Sequence, residues 1–434
     1  MNRYLALLRE NPNYRNLWLA SVVSQLGDWF NLIASASLIA TLTSSGAAIS
    51  YLFLARFIPL FFFSPFAGVL ADRFNRRHIM IATDVLRALA VLGFLLVRDP
   101  AHVWLFYLLT ITQFALSSMF TPARTAVLAN VVKPEELVTA NALDSFTWST
   151  MLAVGSLLGG MAAAAFGLQA AFIMDAATFL LAGWFASRIV LPARRPVEGQ
   201  PVVVRRGGWF EFVDGLRYLR SEPYILAISL VKAGGSLVWG AINVLEVNYA
   251  EDIFPLTQGG SITLGIIYAI SGVGTGFGPL LLREWLGDAA GRLRRGIGLG
   301  FVFLTVGILG LGLAPTLPWF GLATLVRTVG SGTVWVFSAA MLQMIVPDRV
   351  RGRVFAFEFA ILTLTQSISI FWAGFGQDTL FLSVRQITVG MAVAGGLVSL
   401  LWFIFHLRTL RRPLPGTPAG APAAQPQQQS SHIR

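Results

Sequence analysis

The stretch GVLADRFNRRHIM, Gly68 to Met80, sets one acid, three arginines and a histidine between two long apolar runs. Charges spaced this way do not belong in hydrocarbon, where each ionisable side chain costs roughly 2.5–3.5 kcal/mol on insertion scales. They read instead as a short polar loop joining two membrane crossings. The fold then turns on whether the same alternation continues along the chain.

It does. Hydrophobic residues make up 55% of the 434 residues and charged ones 12%, against about 25% charged in a soluble domain. So few charges cannot cover a water-facing surface, so most of the exterior is expected to meet lipid. The formal charge of +11 comes in clusters between apolar runs, without a basic stripe interleaved with stacking aromatics. That is the pattern of topology-setting loops and not of a nucleic-acid face. No cysteine is present, and the four histidines (His78, His102, His406, His432) are far apart. Disulfides, thiolate chemistry and a histidine metal site are therefore not expected. No phosphate-cradling GxxxxGK[ST] motif occurs, so direct use of ATP is not expected either. The start, MNRYLALLRENPNYRN, lacks the apolar core and cleavage site of a removable signal peptide.

A ruler of about 20 apolar residues per crossing places spans at 16–44, 46–70, 79–98, 102–127, 141–165 and 168–190, then at 224–250, 261–283, 296–314, 317–345, 352–374 and 385–407. The expectation is an all-α membrane protein of twelve transmembrane helices in two pseudo-symmetric six-helix halves. The basic residues fall on alternate loops: Arg3, Arg9 and Arg15; Arg73, Arg76 and Arg77; Lys133; Arg194, Arg195, Arg205 and Arg206; Arg292, Arg294 and Arg295; Arg349, Arg351 and Arg353; Arg408, Arg411 and Arg412. By the positive-inside rule both termini are expected in the cytoplasm of a bacterial cell, with the spans in its inner membrane. The division expected is 1–190 for the first half and 191–223 for a cytoplasmic connector, followed by 224–407 for the second half and 408–434 for a Pro/Ala/Gln-rich disordered tail. Within the connector, Trp209 to Arg220 has the periodicity of an amphipathic helix at the membrane surface. An internal echo supports the halves: LANVVKPEELVTANAL (128–143) aligns with LQMIVPDRVRGRVFA (342–356), matching Pro134 to Pro347 and Glu135 to Asp348. Two such halves around a central connector are a transporter architecture, with the substrate site at their interface.

With that frame in place, GVLADRFNRR resembles the cytoplasmic loop signature of the major facilitator superfamily, between spans 2 and 3. Gly68, Asp72, Arg73, Arg76 and Arg77 fall on the pattern, and Asn75 stands where a loop glycine is usual. Asparagine tolerates the left-handed backbone of a tight turn. Within the superfamily, SQLGDWF, DRFNRRHIMIATDVLRA, TPARTAVLANVV and PEELVTANAL are most similar to the bacterial macrolide-efflux and enterobactin-exporter branch. GSLLGG (155–160) is similar to an exporter signature, with Gly155, Gly159 and Gly160 in place and Ser156 where proline is usual; the same glycines also suit plain helix packing. The resemblance implies a conformational lock in which Asp72 engages cytoplasmic groups such as Arg124 and the start of span 11 near Gly352. Asp84 and Arg87 are the charged neighbours of that lock.

Ionisable residues inside spans are the candidates for transport chemistry. Asp28 in span 1 and Arg56 in span 2 fall at similar depth, either as a static pair or as a site where Asp28 takes up and releases a proton. Arg327, Glu246 and Asp175 are further candidates, with Lys232 and Glu358 beside them. Trp29, Trp148, Trp239 and Trp335 would suit an apolar substrate cavity or ordinary packing. The expected activity is secondary active transport, as a proton-coupled exporter of an amphipathic organic compound, with no cofactor. A lipid translocator or uncoupled facilitator is the alternative. A membrane-embedded enzyme is not expected, since no paired carboxylates or metal ligands fall at matching depth. The expected partners are a small organic substrate, protons and the bilayer, with the protein a monomer that binds no nucleic acid.

Overall fold

The computed structural model describes residues 2–43, 45–191, 208–256, 260–287 and 290–409. Among the described residues every regular element is a helix. Arginine-bearing ends of the long helices gather at one end of the bundle, here called the basic end; the opposite end is the far end.

After a short helix α1 (Asn2–Glu10), the first long helix is α2 (Pro12–Leu42). Asn11 caps it, accepting from the Tyr14 amide, and Pro12 sits where its missing N–H costs nothing. Then come α3 (Gly46–Arg73), α4 (Arg76–Gly93) and α5 (Val103–Val131), followed by α6 (Leu137–Thr150), α7 (Ser156–Phe166) and α8 (Leu168–Ser187). The later part holds α9 (Gly208–Ser221), α10 (Pro223–Ser229), α11 (Val231–Asn248), α12 (Ser261–Leu286), α13 (Ala290–Gly312), α14 (Leu317–Ile345), α15 (Asp348–Asp378) and α16 (Val384–Thr409). A π-turn at Met151–Gly155 joins α6 to α7, and another at Tyr249–Ile253 follows α11. Most helix ends fall within about a turn of the expected span ends, with α14 matching its span of 317–345 and α8 ending three residues short, and the expected fifth and seventh spans are interrupted by or end in these π-turns.

Among the described residues, eleven segments are long and apolar enough to cross a membrane. The twelfth expected crossing, α2, is long enough, with 31 residues or about 46 Å at 1.5 Å per residue. It is more polar because it carries Ser21, Ser24, Gln25, Asp28, Asn31, Ser35 and Ser37. Most of these are buried against protein, so α2 spends its polarity inside the bundle and not on lipid.

Helices α2 to α8 pack mainly on one another, as do α11 to α16. The two sets meet along two seams, α3 against α15 and α6–α7 against α12, with α2 also touching α12. Element spacing repeats between the sets: α5 and α14 are both 29 residues and start 214 residues apart (317 − 103). Helix α9 packs on α15 and α3. Its Leu219 is fully buried, so part of the face expected at the membrane surface covers protein instead. The side chains of Trp209 and Phe212, the connector arginines Arg194, Arg195, Arg205 and Arg206, and the tail from residue 410 lie outside the described residues.

Candidate functional site

Asp28 lies about 24 Å along α2, close to its middle. Arg56 enters on α3 from the far end and reaches the same level. Together with Gln25, Trp29 and Leu32 of α2 and Trp148 of α6, they line a cavity of about 120 Å³. The two charges share this cavity without an ion pair or hydrogen bond between them, among the described residues. Arg56 rests its guanidinium on the Phe114 ring at 4.5 Å, and its Nη1 is buried without a hydrogen-bond partner. Gln25 Oε1 is in the same position. Of the two readings of Asp28, a static pair with Arg56 is not what the geometry shows.

Behind Asp28 sits Asp175 on α8, fully buried and accepting from Asn31 Nδ2 at 2.9 Å. Asn31 in turn accepts from Ser35 Oγ at 3.2 Å. Gly27 makes this approach possible, since a Cβ there would fall 2.5 Å from Asp175 Oδ1 and 1.9 Å from Thr178 Oγ1. Arg87, one helical turn from its ion-pair partner Asp84, lies between the rings of Phe120 and Phe179 at 4.5 and 4.4 Å. Two ring faces and one carboxylate hold a cation in apolar surroundings. Both Arg87 and Arg56 act electrostatically on Asp28.

In the second helix set two buried carboxylates are paired with cations. Arg327 on α14 donates to Glu246 Oε1 on α11 at 2.5 Å, with Ser271 Oγ at 3.4 Å from the same nitrogen. Glu246 is 0% and Arg327 5% exposed. Closer to the basic end, Lys232 Nζ lies 3.1 Å from Glu358 and 4.5 Å from the centre of the Trp335 ring. Tyr268 on α12 connects the two sets: its ring lies 5.4 Å from that of Trp29, and its hydroxyl feels both Arg56 and the Glu246–Arg327 pair. The set of α2 to α8 thus keeps an unpaired carboxylate in a cavity, whereas in the set of α11 to α16 Glu246 and Glu358 each sit against a cation.

The expected lock residues fall differently. The side chains of Gly68, Asp72 and Arg73 lie outside the described residues. Arg124 is paired with Asp144 Oδ2 of α6 at 2.7 Å and donates to Ser21 Oγ at 2.6 Å. It therefore belongs to a contact among α5, α6 and α2. Asp84 and Arg87 form their own pair deeper in α4, separate from Arg124. Asn75 is not left-handed: at φ −68° and ψ 114° it is the N-cap of α4, and its side chain accepts from the Arg77 amide at 3.0 Å. Here asparagine supplies a cap where glycine would supply freedom.

The three glycines divide by neighbour. A Cβ at Gly155 would meet Trp29 Cδ1 at 2.9 Å, and one at Gly159 the Trp29 carbonyl oxygen at 3.0 Å, so both serve the α2 contact. Gly160 faces α12, where a Cβ would meet the Ser261 carbonyl oxygen at 2.6 Å. Ser156, in the proline position of the motif, donates to Leu152 O at 2.5 Å and reaches Gly265 O of α12 at 3.3 Å. Trp29 and Trp148 line the cavity, whereas Trp239 packs on Gly235 and Trp335 underlies Lys232.

At the far end sequence reasoning missed a contact. Asp378, the last residue of α15, accepts from Ser45 Oγ, from Gly46 N at 3.0 Å and from Ala47 N at 3.2 Å. A carboxylate from one helix set thereby meets the positive N-terminus of α3 in the other. Gly374 one turn earlier lets the helices touch, since a Cβ there would lie 2.6 Å from Ser50 Oγ.

Known proteins resemble this chain in sequence and in fold. The chain is 26% identical over 426 residues to the uncharacterized MFS-type transporter YfiS of Bacillus subtilis, covering 90% of this chain and 95% of that one. It is 23% identical over 360 residues to the putative bacilysin exporter BacE of Bacillus subtilis, covering 82% and 86%. Among solved structures, a bacterial homologue of the human lysosomal transporter Spinster, inward-facing and unoccupied, superimposes with a TM-score of 0.72 at 13% identity, covering 94% and 99%. The nucleoside transporter NupG gives 0.70 at 12%, covering 90% and 99%. The sequence model of the Major Facilitator Superfamily matches residues 17–357, from within α2 to within α15. Since that match runs through both helix sets and the seams between them, the chain belongs to the Major Facilitator Superfamily.

Proposed function

We propose that this protein is a proton-coupled exporter of an amphipathic organic compound, of the macrolide-efflux and enterobactin-exporter kind, in a bacterial inner membrane. Both termini are cytoplasmic, the basic end is the cytoplasmic end, and residues 1–190 and 224–407 are the two rocking halves, working as a monomer. The observation that carries the reading is Asp28, a carboxylate at mid-depth that lines a cavity beside Arg56 without pairing with it. A carboxylate so placed can hold a proton in one conformation and release it in another, according to how close Arg56, Arg87 and Asp175 stand. Asp175, Arg327 and Glu246 set the charge around it. The similarity to a putative exporter supports the direction.

Proteoliposomes with an imposed pH gradient test the coupling. Asp28→Asn is expected to abolish gradient-driven movement of a fluorescent amphipathic cation while the protein stays folded and inserted. Gradient dependence equal to that of the parent protein would refute it. A second reading, translocation of a lipid, is favoured by an apolar groove of about 430 Å³ between α12 and α14, walled by Ile266, Ile270, Pro318 and Leu322. Movement of a labelled lysophospholipid instead of the cation would select it.

A further inference from the structure

Three polar groups in the cavity beside Asp28 have no hydrogen-bond partner among the described residues: the Asp28 carboxylate, Gln25 Oε1 and Arg56 Nη1. Unmet hydrogen-bonding capacity is expensive in a low-dielectric interior and is normally satisfied by protein or by something bound. Several other buried charges among the described residues have an oppositely charged neighbour. Arg327 has Glu246, Arg87 has Asp84, Arg124 has Asp144, and Lys232 has Glu358. Other buried polar atoms lack a partner too, but here an acid, an amide oxygen and a guanidinium gather around one cavity.

The chemistry of the three groups is complementary to one kind of ligand. Arg56 Nη1 only donates, and a guanidinium is suited to a carboxylate. Asp28 and Gln25 Oε1 accept, and lie one helical turn apart on α2, so they present a pair of acceptors to a single ammonium. The volume of about 120 Å³ suits the few heavy atoms of a headgroup and no more. Two indoles, Trp29 and Trp148, stand in the same wall, where an apolar body attached to that headgroup would lie.

We propose that the substrate of this cavity is a zwitterion carrying a carboxylate and an ammonium a few bonds apart, as in an amino acid or short peptide with an apolar side chain. Arg56 takes the carboxylate, Asp28 with Gln25 takes the ammonium, and the indoles take the side chain. The inference rests on the export reading for its transport meaning but not for its binding chemistry. It also gives Asp28 two occupants, since an ammonium and a proton neutralise the same carboxylate.

Binding of phenylalanine, N-acetylphenylalanine, phenylalaninamide and N-acetylphenylalaninamide to the purified full-length chain tests it, by thermal shift and by quenching of tryptophan fluorescence. The free amino acid is expected to bind about tenfold or more tightly than either singly blocked form. Asp28→Asn should erase discrimination against the acetylated form, and Arg56→Gln discrimination against the amide. Equal binding of all four, or binding of none, overturns the proposal even if a variant fails to fold, because that comparison needs only the parent protein. Proteoliposomes separate this inference from the export reading. Export of tetraphenylphosphonium without phenylalanine binding sinks the zwitterion and leaves export standing. Selective phenylalanine binding with export of neither compound leaves the zwitterion site standing and sinks export.

Discussion

Replacing Asp378 with alanine removes three acceptor contacts at the far end, those with Ser45 Oγ, Gly46 N and Ala47 N. Helix α3 keeps its own cap, because Ser45 Oγ still accepts from Ala48 N at 3.2 Å. The loss is therefore felt between the helix sets and not within α3. A capping carboxylate contributes about 1 kcal/mol, and its interaction with the helix dipole adds roughly 0.3–1 kcal/mol at an exposed position. Asp378 is solvent-exposed, so the lower part of that range applies, giving about 1.4 kcal/mol. That corresponds to a tenfold change in the ratio of closed to open far end. The chain has no cysteine, which makes the measurement direct. Ser50, 1% exposed and set against Gly374 in the α3–α15 seam, becomes a near-isosteric reporter as Ser50→Cys. Its labelling by a membrane-impermeant thiol reagent should run about tenfold faster with Asp378→Ala. Asp378→Asn, which keeps an acceptor and loses the charge, should fall between. Labelling rates within twofold of the parent for both variants would refute the idea that this carboxylate holds the seam closed.

Breaking the Glu246–Arg327 pair with Glu246→Ala should cost about 3–5 kcal/mol by leaving a buried guanidinium unmatched, read as a lowered thermal midpoint; Glu246→Met with Arg327→Met should recover most of that stability without recovering transport. Gly160→Leu should prevent close approach of α7 to α12, so a thiol pair placed across that seam should crosslink far more slowly than in the parent. Asp72→Asn should change labelling of cysteines at the basic end if Asp72 has a conformation-dependent partner there, and identical labelling would remove it from the lock.

How much was legible in the sequence depended on which interaction was at stake. The crossings followed from apolar run lengths alone, because hydrocarbon tolerates little else. The exception is instructive: α2 carries enough serine, asparagine and glutamine to fall short of the others, and only its burial against α8 and α7 accounts for that. Asp28 and Arg56 were visible as charges in apolar runs, yet that they share a cavity unpaired depends on side-chain direction, which spacing does not give. The pairing of Arg124 with Asp144 joins residues 20 apart in sequence on two helices, and run lengths do not show which charges on neighbouring helices face each other. The Asp378 clasp was beyond reach, since it joins a loop-edge acid to a helix terminus 332 residues away. Asn75 shows the converse: the residue was noticed, but its role as a cap is a matter of φ and ψ.

The seam between α7 and α12 has a consequence for motion. Gly160 and Gly265 bring backbone against backbone between α7 and α12, and Gly272 does the same against Ala153 of the adjoining π-turn. An interface of interlocked side chains must change rotamers before it can shift, and each such change adds a barrier. Two smooth backbones need no rearrangement, so the helix pair can act as a bearing on which one set turns while staying in contact. Its smoothness also leaves it nearly indifferent to angle. The work of choosing a conformation then falls to the charged clasp on the neighbouring seam and to whatever occupies the cavity between them.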